Sequence, residues 1–163
     1  MTGRWLLLAK LAILPASVAA QDEGIAVGSP APAVVVNDLE GNPVDLGELI
    51  GKKPVLLEFW ATWCSVCDDL LPKVRAAHKA HGDKVEFLGV NVTVNQTPER
   101  VKRWVEKHQP PYRTLYDDTG VSTRAYLAPV TSYIVIIDRS GKVAYTGSGA
   151  DQDLEAALRK VVP

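Results

Sequence analysis

Apolar β-branched runs and stretches with apolar positions three or four apart succeed one another along the chain. Residues 55–60 are apolar on both alternating faces, which predicts a strand buried on both sides. Leu71, Val74 and Ala77 follow at helical spacing, so a helix is expected over residues 65–81. Residues 85–92 form a second β-rich run. Thr97 then caps a helix that opens on Pro98 and runs to about His108, with Val101, Trp104 and Val105 on one face. Gln109-Pro110-Pro111 stops it. Residues 112–116 predict a short strand, and residues 120–126 a short helix. Residues 132–137 and 142–146 flank the turn Asp138-Arg139-Ser140-Gly141 and predict a hairpin. Residues 151–161 close the chain as a helix capped by Asp151, with Leu154, Ala157, Leu158 and Val161 inward. Upstream, residues 33–36 and 43–46 flank Glu40-Gly41-Asn42 as another hairpin, followed by a helical turn over residues 46–50. The order is β-β, then β-α-β with an inserted α unit, then β-β-α. It predicts an α/β fold with a central mixed sheet flanked by helices and an N-terminal β-hairpin extension.

The first twenty residues do not fit that pattern. Arg4 gives a positive start, residues 5–14 are mostly apolar despite Lys10, and Val18-Ala19-Ala20 precedes a cut. This is the shape of a secretory signal peptide. Its uninterrupted apolar stretch, residues 11–20, falls short of the roughly 20 residues of a membrane helix. Residues 1–20 are therefore expected to be removed. Residues 21–163 remain as one domain, periplasmic or otherwise exported, without membrane insertion. The whole chain carries a net charge of −1, and the signal holds Arg4 and Lys10, so the remainder is more acidic. That gives no electrostatic case for nucleic acid or anionic lipid as a partner. Nothing in the pattern implies an organic cofactor.

The chain has two cysteines, Cys64 and Cys67. They stand where the buried strand hands over to the helix, three apart on one face of its first turn. That separation suits a disulfide. Unpaired N–H groups and the helix dipole stabilise a thiolate there, so Cys64 is expected to be the nucleophile and Cys67 its resolving partner. The competing reading is a structural disulfide or a pair of core thiols. A four-residue loop removes little unfolded-state entropy, which disfavours a staple.

Trp63-Cys64-Ser65-Val66-Cys67 after an apolar strand resembles the active site of the thioredoxin superfamily. Pro72, five residues after Cys67, matches a helix proline of many members. Gly28-Ser29-Pro30-Ala31-Pro32 and Gly51-Lys52-Lys53-Pro54 are similar to TlpA/ResA-like exported thiol–disulfide oxidoreductases. The resemblance covers about residues 27–160 and implies a thioredoxin fold. Glu58, six before Cys64, matches a buried family acid. Its implied role is a carboxyl of raised pKa that takes and returns the proton of Cys67. Trp60 and Trp63 are implied neighbours of the sulfurs, with Ser65 and Val66 between the cysteines. The resemblance further implies protein disulfides as substrates, a reductive role and a membrane thiol as electron donor.

One position departs from the family. A cis-proline usually begins the strand beside the cysteines. The spacing from Tyr126 to Asp138 puts Ser132 there, with Pro129 three residues early. Before serine a cis bond costs about 2.5–4 kcal/mol, so a trans Thr131–Ser132 peptide is expected. Thr131 and Ser132 are then expected to face the two sulfurs. Two thiolates also suit Cu(I), as in Sco-like metallochaperones on the same fold. Those proteins use CxxxC and a later histidine, whereas His78, His81 and His108 all precede residue 112 and are expected in solvent. No resident metal is expected. Peroxiredoxins place threonine where Ala61 stands.

Overall fold

The computed structural model describes residues 24–162. The expected signal peptide, residues 1–20, lies outside the described residues. Within them the chain forms β1 (Val35–Asp38), β2 (Pro43–Asp45), α1 (Leu46–Leu49), β3 (Val55–Trp60), α2 (Ser65–His81) and β4 (Glu86–Val92). It continues through α3 (Pro98–His108), β5 (Arg113–Asp117), α4 (Val121–Ala125), β6 (Tyr133–Ile137), β7 (Val143–Gly147) and α5 (Leu154–Leu158).

The strands make one mixed seven-stranded sheet in the order β2-β1-β5-β4-β3-β6-β7. β3, β4 and β5 run parallel. β6 pairs antiparallel with β3, and β7 with β6. The predicted N-terminal hairpin, β1 with β2, extends the opposite edge. This is the expected α/β thioredoxin fold.

Every residue of β3 is buried, because helices cover both faces of the sheet there. Successive side chains alternate between the faces. Val55, Leu57 and Phe59 enter a core with Leu88, Val90, Tyr126, Tyr133 and Val135. Leu56 enters the opposite core with Leu70, Val74, Ile134 and Leu158, and Trp60 packs with Cys64, Cys67 and Val101. Glu58 stands between Leu56 and Trp60 on that second face, beneath α2. Helix α2 presents Cys67, Leu70, Leu71, Val74 and Ala77 to the sheet and runs through Pro72 without ending.

The last helix is shorter than expected at both ends, stopping at Leu158 rather than at residue 161. Asp153, not Asp151, caps α5, its Oδ1 accepting the Ala156 N–H at 2.9 Å. Gln152 is drawn inward, its Nε2 donating to Ser132 O and Gly149 O. That holds residues 149–152 in a turn, so the helix begins later than its apolar pattern suggests. Among the described residues, no helix is long and apolar enough to cross a membrane.

Candidate active site

After Trp60 the backbone turns once, with Cys64 N–H donating to Ala61 O at 3.1 Å. Cys64 then takes an extended conformation and caps α2. Its Sγ accepts the Cys67 N–H at 3.1 Å, and its carbonyl accepts from the N–H groups of Cys67 and Asp68. A cysteine sulfur thus occupies the place usually held by a serine or aspartate oxygen, facing the positive end of the helix dipole. Cys64 and Cys67 are joined as a disulfide with Cα atoms 5.3 Å apart.

The pair is less open than its motif suggests. Cys64 is 5% exposed and Cys67 4%, while Trp63, Ser65 and Val66 are exposed around them. Trp60, by contrast, is fully buried and packs on Trp104 with ring centroids 4.4 Å apart. The connection between β4 and α3 holds the turn from outside. Gln96 Oε1 accepts the Thr62 N–H at 3.1 Å, and Val94 O accepts the Trp63 indole N–H at 2.8 Å. Neither Val94 nor Gln96 was legible as part of the site, because both reach it from another strand's loop.

Glu58 is 1% exposed, and its Oε2 has no hydrogen-bond partner. Burial pushes its pKa up to about 8, and the Tyr112 hydroxyl pulls it part of the way back. A neutral acid at pH 7 that ionises just above is suited to exchanging a proton with a thiol. Tyr112 is a third residue that sequence reasoning missed. The available signal was Gly89, a glycine inside an apolar strand, which often marks a close approach. Gly89 pairs with Glu58 across β3 and β4, and the Tyr112 ring fills the space beside it.

The register carries Ser132 toward the same site. Phe59 pairs with Tyr133, so one further step sets Ser132 beside Trp60. The described residues contain no cis peptide, so the Thr131–Ser132 bond is trans, as expected, and so is the bond before Pro129. Ser132 is buried and adopts φ +64°, a left-handed conformation. Its Oγ accepts the Gly149 N–H at 3.1 Å and its carbonyl accepts from Gln152. Both groups are thus engaged with the turn before α5, and among the described residues neither Ser132 nor Thr131 hydrogen-bonds a sulfur. Thr131 is partly buried.

The histidines differ from expectation. His81 Nε2 lies 2.9 Å from Glu155, His78 packs edge-on against Phe87, and His108 stacks on Trp104. All three are partly buried, because α2 and α3 turn them toward neighbouring elements. Among the described residues, no group of three or more His, Cys, Asp or Glu side chains is placed to hold a metal ion.

Residues 26–161 match the family described as Redoxin. The chain belongs to the redoxin family. The redoxin is similar to the thiol-disulfide oxidoreductase ResA of Bacillus thuringiensis subsp. konkukian, with 30% identity over 146 residues, covering 88% of this chain and 83% of that protein. ResA of Geobacillus thermodenitrificans is 31% identical over 162 residues, covering 97% and 91%. A thioredoxin domain of a thiol-disulfide oxidoreductase from Bacteroides vulgatus superposes with a TM-score of 0.74 at 29% identity, covering 85% of this chain and 99% of that one. The redoxin is thus a TlpA/ResA-like member of the thioredoxin superfamily and a thioredoxin-like oxidoreductase. Its CxxC pair, Cys64 and Cys67, joined as a disulfide, supports a thiol–disulfide redox function.

Proposed function

We propose that the protein is an exported, cell-envelope reductant of protein disulfides. The observation that carries this reading is the Cys64–Cys67 disulfide at the N-terminus of α2, with the buried Glu58 on the sheet face below. In the dithiol form, the Cys64 thiolate attacks one sulfur of a substrate disulfide. A mixed disulfide forms and the first substrate thiolate leaves. Cys67 gives its proton to ionised Glu58 and attacks Cys64 Sγ. The second substrate thiolate leaves, and the Cys64–Cys67 disulfide forms. Two electrons pass from the dithiol to the substrate, and a membrane thiol donor restores the pair. Cys64 is assigned as nucleophile because its sulfur receives an N–H at the helix terminus, a setting that lowers a thiol pKa from about 8.5 to roughly 3.5–7.5. Residues 1–20 direct the protein out of the cytoplasm and are then removed. Thr131 and Ser132 border the substrate's approach.

Cys67→Ser should accumulate a mixed disulfide through Cys64, detectable by mass spectrometry, while Cys64→Ser should neither form one nor turn over. Trapping through Cys67 instead would reverse the assignment. Equal alkylation of both reduced thiols across pH 5–9 would remove its physical basis.

A further inference from the structure

Gly89 lies opposite Glu58 in the parallel pairing of β3 with β4. A Cβ placed on Gly89 would fall 2.2 Å from the Tyr112 ring. Any side chain there would therefore expel the ring, and glycine is what lets it lie across the strand. Pro110 and Pro111 lead into Tyr112, and β5 begins at the next residue. Its ring also packs against Trp60, centroids 6.3 Å apart, in the cluster that holds Cys64 and Cys67. Tyr112 is thus wedged between the cysteine cluster and the strand beside Glu58. Glu58 meanwhile keeps one carboxyl oxygen without a partner in a site closed to solvent.

We infer that Tyr112, seated over Gly89, is a positioning residue whose hydroxyl sets the pH at which Glu58 exchanges a proton and hence the pH at which Cys67 resolves the mixed disulfide. The inference rests on the proposed role of Glu58. A phenol O–H donated to a carboxylate stabilises the ionised form, which is the form able to accept the Cys67 proton. The ring carbon that bears the hydroxyl lies 2.7 Å from where a Cβ on Gly89 would stand, beside the residue paired with it, Glu58, and from there the hydroxyl favours the ionised carboxyl against the effect of burial. Burial first, and then Glu58, raise the tyrosine's pKa well above its ordinary value, so the phenol stays protonated and remains a donor. The other groups around the pair are few. Asp68 and Arg75 of α2 act on the Tyr112 hydroxyl with opposite signs. Cys67 lies in the disulfide, β6 offers Ile134 opposite Glu58, and β4 offers no side chain at Gly89.

Packing alone would also explain a tyrosine in this gap, and Tyr112→Phe separates the two roles because it keeps the ring and removes the donor. The carboxyl of Glu58 should be titrated by carbon NMR in the disulfide form, where no thiol competes for the proton. Tyr112→Phe should raise its midpoint by about one pH unit, the scale of one hydrogen bond to a charged group. The rate of mixed-disulfide resolution should then fall about tenfold at pH 7, one decade per unit below the midpoint, and recover as pH is raised past the new midpoint. Gly89→Ala, which displaces the ring and leaves the hydroxyl in the chain, should shift both midpoints the same way. An unmoved Glu58 midpoint in Tyr112→Phe would overturn the inference. A midpoint that moves while the resolution profile stays fixed would overturn the kinetic half, and a resolving rate unchanged in Glu58→Gln would place the error in the role of Glu58 instead.

Discussion

Below its ordinary pKa of 4.5 the Glu58 carboxyl is protonated in both the folded and the unfolded chain. Between there and about pH 8, only the unfolded chain ionises. Unfolding then releases a proton, so the unfolded state gains as pH rises and stability falls. The contribution is fully present below pH 4.5 and is lost as pH climbs through about 8. The full difference is on the order of 5 kcal/mol, a large share of a domain's usual 5–15 kcal/mol. Glu58→Gln removes the titration. Urea unfolding of the oxidised protein should show the variant gaining several kcal/mol on the wild type between pH 5 and pH 8.5. At pH 5 it should be no more stable, because a buried amide also needs partners. A difference constant across that range would mean that the carboxyl is already ionised in the fold. Glu58 was legible in sequence because a lone acid interrupts an apolar run. What pairs with it was not, because Tyr112 lies more than fifty positions away and meets it only across the sheet.

The elements most legible in sequence were those whose own pattern decides their burial. Strand β3 is apolar on both faces, and α2 carries one apolar stripe, so their bounds agree with expectation. The segment before β6 and the start of α5 were not legible, because side chains from distant positions fix them. Ser132 is held at φ +64° by hydrogen bonds to Gly149 and Gln152. A proline ring fixes φ near −65°, so the structure has no place for the family's residue without rebuilding the loop. Ser132→Pro should destabilise the protein by more than about 1 kcal/mol through the backbone, and by a further ~1–3 kcal/mol if the Gly149 N–H is left buried without an acceptor. Ser132→Gly should suffer only the second loss, partly offset because glycine accepts positive φ readily. Denaturant midpoints of the two variants check the order. A Ser132→Pro protein as stable as the wild type would show that the loop is not confined to the left-handed conformation.

At the scale of the whole molecule, the sheet has a working end and a blank one. β3 and β4 finish at the cysteines, and β6 starts there, so the connection over residues 127–132 and the loop at Val94 border the same end. Trp63, Val66, Val94, Leu127 and Val130 are large apolar residues exposed on these segments. Val27 is also exposed, but its neighbour Gly28 bonds to Val143 O at the start of β7, which lies at the opposite end. With the two sulfurs almost buried, the proposed attack through Cys64 favours a substrate disulfide whose surrounding chain settles on that apolar rim. A small disulfide has little area to place there, whereas a protein substrate covers several of these side chains. Burying one Val or Leu is worth about 1.5–3 kcal/mol, or at least tenfold in affinity. Leu127→Asp and Val130→Asp should therefore lower kcat/KM for a disulfide-bonded protein by about tenfold or more and leave a small symmetrical disulfide nearly unaffected. Val27→Asp should change neither. Aspartate tolerates the left-handed backbone of Leu127, so a loss there reports on the surface rather than the fold. Equal losses for large and small disulfides would instead mean that the loop shapes the sulfur site itself.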